Sequence, residues 1–138
     1  MAKKKTLAAH TYLIFISHAA IDKFFATTIC DKIEQVGATY FRDDRDIHGG
    51  DDIPDEIRAQ IVACDEFLVL LTPESLDRQW VILEIGAAWG LGKRIVPLCY
   101  RLDPTKMPDL IRMKRAYDLN HLDDYLRHLR ERLTEAKS

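Results

Sequence analysis

The sequence predicts an α/β domain built on a parallel sheet. Three observations carry that prediction. Short apolar runs alternate with segments of helical period; the strand candidates are apolar on both faces, as strands covered by helices on two sides are; and 138 residues suffice for one core of ordinary size. Right-handed crossovers between successive strands follow from the alternation.

Residues 12–16 (YLIFI) form a compact apolar run ending at Ser17-His18 and read as the first strand. From Asp22 the period becomes helical. Phe25, Ile29, Ile33 and Val36 share one stripe, Lys23, Asp31 and Lys32 lie mostly off it, and Gly37 supplies the stop. Residues 38–41 give a short second strand. The stretch 42–52 (RDDRDIHGGDD) is too polar and glycine-bearing for an element and reads as a long exposed loop. A helix starts where it ends, with Asp52 to cap, Pro54 in the first turn, Asp55 and Glu56 at the positive helix end, and Ile53, Ile57 and Ile61 on one face.

Residues 67–71 are the third strand, and Thr72-Pro73-Glu74-Ser75 breaks the chain after it. A nearly all-apolar helix follows over 79–91, a pattern expected of a helix buried on all sides. Residues 95–98 form the fourth strand and 116–119 a weaker fifth, separated by an irregular stretch around Pro104 and Pro108. A closing amphipathic helix turns Leu122, Leu126, Leu129 and Leu133 inward. The expected organisation is a flexible tail over residues 1–11 and one domain over 12–135.

Composition narrows the function. Hydrophobic residues make up 47% and charged residues 30%, the balance of a soluble globular chain. A net charge of −2 supplies no field toward phosphate backbones, and Lys3 to Lys5 is a short basic tail, so no nucleic-acid partner is expected. No run approaches the roughly 20 apolar residues needed to span a bilayer. A cytoplasmic, membrane-free location is the expectation. Cys30, Cys64 and Cys99 are odd in number and widely spaced, which argues for buried thiols over disulfides or zinc ligands.

The sharpest chemical signal is Glu84, the one ionisable residue in WVILEIGAAWGLG (residues 80–92). An ionised carboxylate on such a helix costs several kcal/mol unless paired, hydrogen-bonded or open to a water-filled pocket. Glu84 also lies beyond the first turn, where the helix dipole has faded. A structural carboxylate is therefore the weaker reading. Trp80, four residues earlier, shares the helical face of Glu84 and would place an indole beside the carboxylate as a pocket wall for a flat ligand.

Other chemistries fit less well. Asp44, Asp46, His48 and Gly49 imitate the first half of a calcium loop, but His48 is a poor calcium ligand, Asp55 stands where a bidentate glutamate is wanted, and a strand precedes the loop. No metal site is expected. A phosphoryl-accepting receiver domain shares the element order yet needs an aspartate after the third strand, where this chain has Thr72, and acidic residues where it has Ser17-His18. Gly86, Gly90 and Gly92 lack dinucleotide spacing and follow no strand.

In combination these residues resemble a TIR domain of the bacterial, catalytic, NAD⁺-cleaving type. Phe15-Ile16-Ser17-His18 is similar to the family's first box, and Phe41-Arg42-Asp43 through Gly49-Gly50 to the second-strand exit and BB loop. Leu70-Leu71-Thr72-Pro73, then Ser75, Trp80 and Glu84, resembles the third-strand exit and the tryptophan-to-glutamate helix, and Ile95-Val96-Pro97-Leu98 the fourth strand. The resemblance runs from about residue 12 to residue 133. It implies a flavodoxin-like five-stranded parallel sheet with helices on both faces.

The resemblance also implies roles. Glu84 would be the catalytic residue cleaving the nicotinamide–ribose bond of NAD⁺, which is substrate and not cofactor; no cofactor is expected. Trp80 would border the nicotinamide. Phe15, Ser17, His18 and Asp43 would line the nucleotide site. Asp46, Ile47, His48, Gly49 and Gly50, in the BB loop, would close over it and contribute to assembly. Products would be nicotinamide with ADP-ribose or a cyclic ADP-ribose isomer, in prokaryotic antiphage defence or signalling, with self-association and a sensor or effector protein, fused or separate, as partners. Gly49-Gly50 stands where animal adaptor TIR domains often carry a proline before the glycine. Two other functions fit the same chain: a non-enzymatic TIR interaction module working through residues 42–54, and a nucleoside glycosyl-transferring enzyme.

Overall fold

Side-chain alternation along the strands divides the core in two. In the computed structural model, which describes residues 11–42 and 55–137, the central strand β3 (Glu66–Leu71) sends Phe67, Val69 and Leu71 to one face of the sheet and Leu68 and Leu70 to the other. Both faces are apolar because both are covered. On one, α1 (Lys23–Val36) and α4 (Leu122–Lys137) lay down Ile29, Ile33, Leu126 and Leu129 against Ile14, Ile16, Leu68 and Leu98. On the other, α2 (Asp55–Ala63) and α3 (Gln79–Gly90) supply Ile57, Ile61, Val81 and Ile85 against Phe15, Phe67 and Leu71.

The remaining strands are β1 (Leu13–Ser17), β2 (Thr39–Arg42), β4 (Arg94–Cys99) and β5 (Tyr117–Asp118). All five run parallel in the order β2-β1-β3-β4-β5, the flavodoxin-like arrangement expected from the sequence. The order reverses between β1 and β3. Ser17, the last residue of β1, is in register with Val69 there, so the exits of the two strands sit side by side. Gly37 ends α1 at φ +108°, a left-handed conformation that glycine adopts without a Cβ penalty.

Two features differ from expectation. The stretch between β4 and β5 contains short 3₁₀ turns at Pro104–Lys106 and Asp109–Ile111, and it buries Met107 and Ile111 in the core beneath α2 and α3. Helix α3, apolar all round, is not buried all round. Val81, Glu84, Ile85 and Ala88 face inward, while Leu83 is 45% and Trp89 54% exposed. A helix resting on the outside of a sheet contacts it along one stripe, and uniform hydropathy does not change that geometry.

At the amino edge of the sheet, Glu66 opens β3 and is fully buried. Its carboxylate accepts hydrogen bonds from the Tyr12 hydroxyl (2.9 Å), the Tyr125 hydroxyl and Nε of Arg132 (3.0 Å), tying β1, β3 and α4 together. Burial and the adjacent carboxylate charge push the Tyr12 hydroxyl up to about 12 and raise that of Tyr125 well above its ordinary value. Cys30, Cys64 and Cys99 are buried and form no disulfide.

Candidate functional site

The carboxyl edge at the β1/β3 reversal is where sheets of this order bind ligands. β1 delivers Ser17 there, and α3 returns above the sheet to bring Glu84 against it. Oγ of Ser17 donates a 2.6 Å hydrogen bond to Oε1 of Glu84. The two residues are 1% and 3% exposed, so the carboxylate is held almost out of water. The amino-edge carboxylate Glu66 forms an ion pair with the Arg132 guanidinium, 2.9 Å away.

Trp80 stands one turn before Glu84, and both line a cavity of about 80 Å³ between α2 and α3, with Arg58 and Ile57 across from them. Nε1 of Trp80 is buried and makes no hydrogen bond. A buried indole N–H without an acceptor is a donor left for a ligand or a water. The cavity is well below the roughly 300 Å³ and more of a drug-sized ligand pocket, so it is large enough for part of a nucleotide only.

The structure places the other expected residues as follows. Phe15 shares the Ser17 face of β1, fully buried, stacked on Phe67 at 5.4 Å between ring centroids and tilted against Phe41 at 5.5 Å. It forms the floor beneath the site. His18 is 5% exposed, and its Nδ1–H donates to the Ala19 carbonyl at 2.8 Å. Asp43, Asp46, Ile47, His48, Gly49 and Gly50 lie outside the described residues.

Sequence reasoning missed one carboxylate at this edge. Asp22 is the N-cap of α1, yet its side chain caps nothing. It is 5% exposed and reaches across the strand exits, where Oδ2 accepts from the Thr72 hydroxyl at 2.8 Å. Thr72 is fixed in turn by Ser75, whose Oγ accepts from the Thr72 N–H at 2.9 Å and whose N–H donates to the Thr72 hydroxyl at 3.2 Å. The Thr72-Ser75 break is therefore a closed hydrogen-bonded turn, latched to the β1 exit through Asp22. Nothing in the spacing around Asp22 separates this role from ordinary helix capping.

Among the described residues no cluster of histidine, cysteine or carboxylate side chains is arranged to hold a metal ion, and no helix is long and apolar enough to cross a membrane.

Comparison with known proteins gives one consistent family. A family model described as the TIR domain matches residues 14–134. The chain is 24% identical over 124 residues to a probable 2′ cyclic ADP-D-ribose synthase, BdTIR, from Brachypodium distachyon; the match covers 87% of this chain and 55% of the relative, so the chain spans about half its length. Among solved structures, it resembles the TIR domain of the Toll-related receptor TRR-2 from Hydra magnipapillata, with a TM-score of 0.69 and 21% identity over 93% of this chain and 100% of that one. It also resembles the CMP N-glycosidase BcmB from Clostridium botulinum, with a TM-score of 0.57 and 22% identity over 85% of this chain and 97% of that one. The chain belongs to the TIR domain family.

Proposed function

We propose that this TIR domain is an NAD⁺-cleaving enzyme in which Glu84 is the catalytic carboxylate. The observation that carries the reading is the buried Ser17–Glu84 hydrogen bond at the carboxyl edge, beside a cavity shared with the unsatisfied indole N–H of Trp80. The relationship to a probable 2′ cyclic ADP-D-ribose synthase supports it.

The chemistry suits a single carboxylate. Ordinary glycosidases use two because a poor leaving group must be protonated. Nicotinamide is already cationic in NAD⁺ and leaves neutral, so the bond breaks without a general acid and positive charge develops on the ribose. A carboxylate in a site that excludes water stabilises that oxocarbenium charge most strongly. Ser17 fixes one oxygen of Glu84 and so sets its rotamer; Trp80 borders the departing ring. Capture by water yields ADP-ribose, and capture by a ribose hydroxyl or the adenine of the same molecule yields a cyclic isomer. The cavity takes only part of the dinucleotide, so a second copy of the domain completes the site. In a cell this activity serves antiphage defence or signalling by consuming NAD⁺ or making a cyclic signal.

Concentrated protein incubated with NAD⁺ is expected to release nicotinamide, with the second product identified by mass spectrometry. Normal turnover by Glu84→Gln would remove Glu84 from the mechanism. A second reading, hydrolysis of another nucleotide N-glycosidic bond, draws on the structural likeness to a CMP N-glycosidase and is separated by supplying CMP and NAD⁺ in parallel. A non-enzymatic interaction module is favoured only by the exposed apolar side of α3, and it predicts that Glu84→Gln leaves biological function intact.

A further inference from the structure

A second concave surface lies away from the Glu84 site, alongside β4. β5 pairs only with Leu98 and Cys99, so among the described residues the first half of β4 has no strand on that side. A groove of about 480 Å³ runs there, with Ile95 and Val96 among the residues lining it. Its charged lining is entirely cationic: Lys93, Arg94, Lys114, Arg115 and Arg132, beside Tyr117. The chain as a whole carries net charge −2, so general basicity does not explain such a concentration.

Two of the five cations have structural work. Lys93 donates to the Val62 and Cys64 carbonyls at 2.6 and 2.8 Å, closing the end of α2. Arg132 pairs with Glu66. Its Nη2 lies 2.9 Å from the Glu66 carboxylate and its Nε donates to the same group at 3.0 Å, so this guanidinium is engaged. Arg94, Lys114 and Arg115 are exposed and form no ion pair with any described residue. Three exposed cations without an ion pair, lining one concavity, give it a positive potential that an anion would complement. Concave walls focus that field. The volume falls within the range of small-molecule sites.

We propose that this groove binds a small phosphate-bearing anion with at least two phosphates, free or attached to a nucleoside. Arg94 and Arg115 supply planar forks for phosphate oxygens, Lys114 a point charge, and Tyr117 a surface for a base when one is present. The site is separate from the carboxyl-edge cavity and does not depend on the activity proposed for it.

Isothermal titration of the full chain at low ionic strength, with tripolyphosphate and with ADP, tests this. Saturable one-to-one binding is expected, weakening steeply with added salt. It should fall at least tenfold in the Arg94→Glu/Lys114→Glu variant and persist in Glu84→Gln. Equal affinity for the two anions identifies the phosphates as the recognised group; tighter ADP binding adds the nucleoside. The substitutions are at exposed positions, and near-ultraviolet circular dichroism checks the fold. No binding of either anion overturns the proposal, as does loss of binding in Glu84→Gln with retention in the charge-reversal variant. Binding only to vesicles containing phosphatidylglycerol would assign the cations to a membrane surface and overturn it equally.

Discussion

Ser17 and Glu84, 67 residues apart in sequence, meet at 2.6 Å where the sheet order reverses. A strand exit and a helix from opposite sides of β3 in the chain thus converge on one carboxylate. If this carboxylate stabilises the developing ribose cation, its charge matters more than its tether. Glu84→Gln is expected to reduce nicotinamide release by about 100-fold or more, in the range of losing a principal electrostatic stabiliser. Ser17→Ala, which removes one hydrogen bond to a charged group, should cost about 10- to 100-fold. Initial rates at saturating NAD⁺, with both variants checked for native near-ultraviolet spectra, decide the order.

The opposite edge makes a prediction about stability. Arg132→Leu strands the fully buried Glu66 charge and should lower unfolding free energy by about 3–5 kcal/mol, the range for breaking a buried ion pair on one side. Urea titration measures it. A loss below about 1 kcal/mol would mean that the two tyrosine hydroxyls suffice for the carboxylate.

The latch at the carboxyl edge should be costly to open. Thr72→Val removes both the donor to Asp22 and the acceptor for the Ser75 N–H while keeping side-chain shape. The expected loss is about 1–3 kcal/mol, since a buried carboxylate loses its bond. Asp22→Asn, which keeps an acceptor, should be milder. The same urea titration ranks the two.

Alkaline pH should weaken the fold in a defined order. Burial pushes the Cys64 and Cys99 thiols up to about 11, and burial with the Glu66 charge pushes Tyr12 to about 12. The folded state therefore favours the protonated forms. Their stabilising contribution is complete below the unfolded values, near 9 for the thiols and 10 for tyrosine, and is lost as pH rises toward 11 and 12. Urea midpoints should hold steady to about pH 9 and then decline, less steeply in Tyr12→Phe. The same protonation makes both thiols slow to react with iodoacetamide until the protein unfolds.

The outer side of α3 supplies a control. Trp89 is 54% exposed, so Trp89→Gln should change unfolding free energy by less than about 0.5 kcal/mol, whereas a buried tryptophan would cost several. A larger loss, read by urea denaturation, would mean that Trp89 is covered in solution.

The strands β1, β3 and β4 were legible because each is a short apolar run bounded by polar or turn residues, and a parallel sheet needs no finer pattern. Glu66 was missed as the start of β3 because a charge normally ends a buried strand; its acceptability depends on Tyr125 and Arg132, some 60 residues away, which no local window contains. Glu84 stood out for the converse reason, as a charge within an apolar helix. Asp22 resembled any helix cap, and only its contact with Thr72 distinguishes it. Local composition reports burial well and partnership poorly.

Helix α3 stays apolar even where the sheet does not cover it. With Leu83 and Trp89 turned outward beside the wall that holds Glu84, any second molecule drawn to that side arrives next to the one carboxylate of this helix.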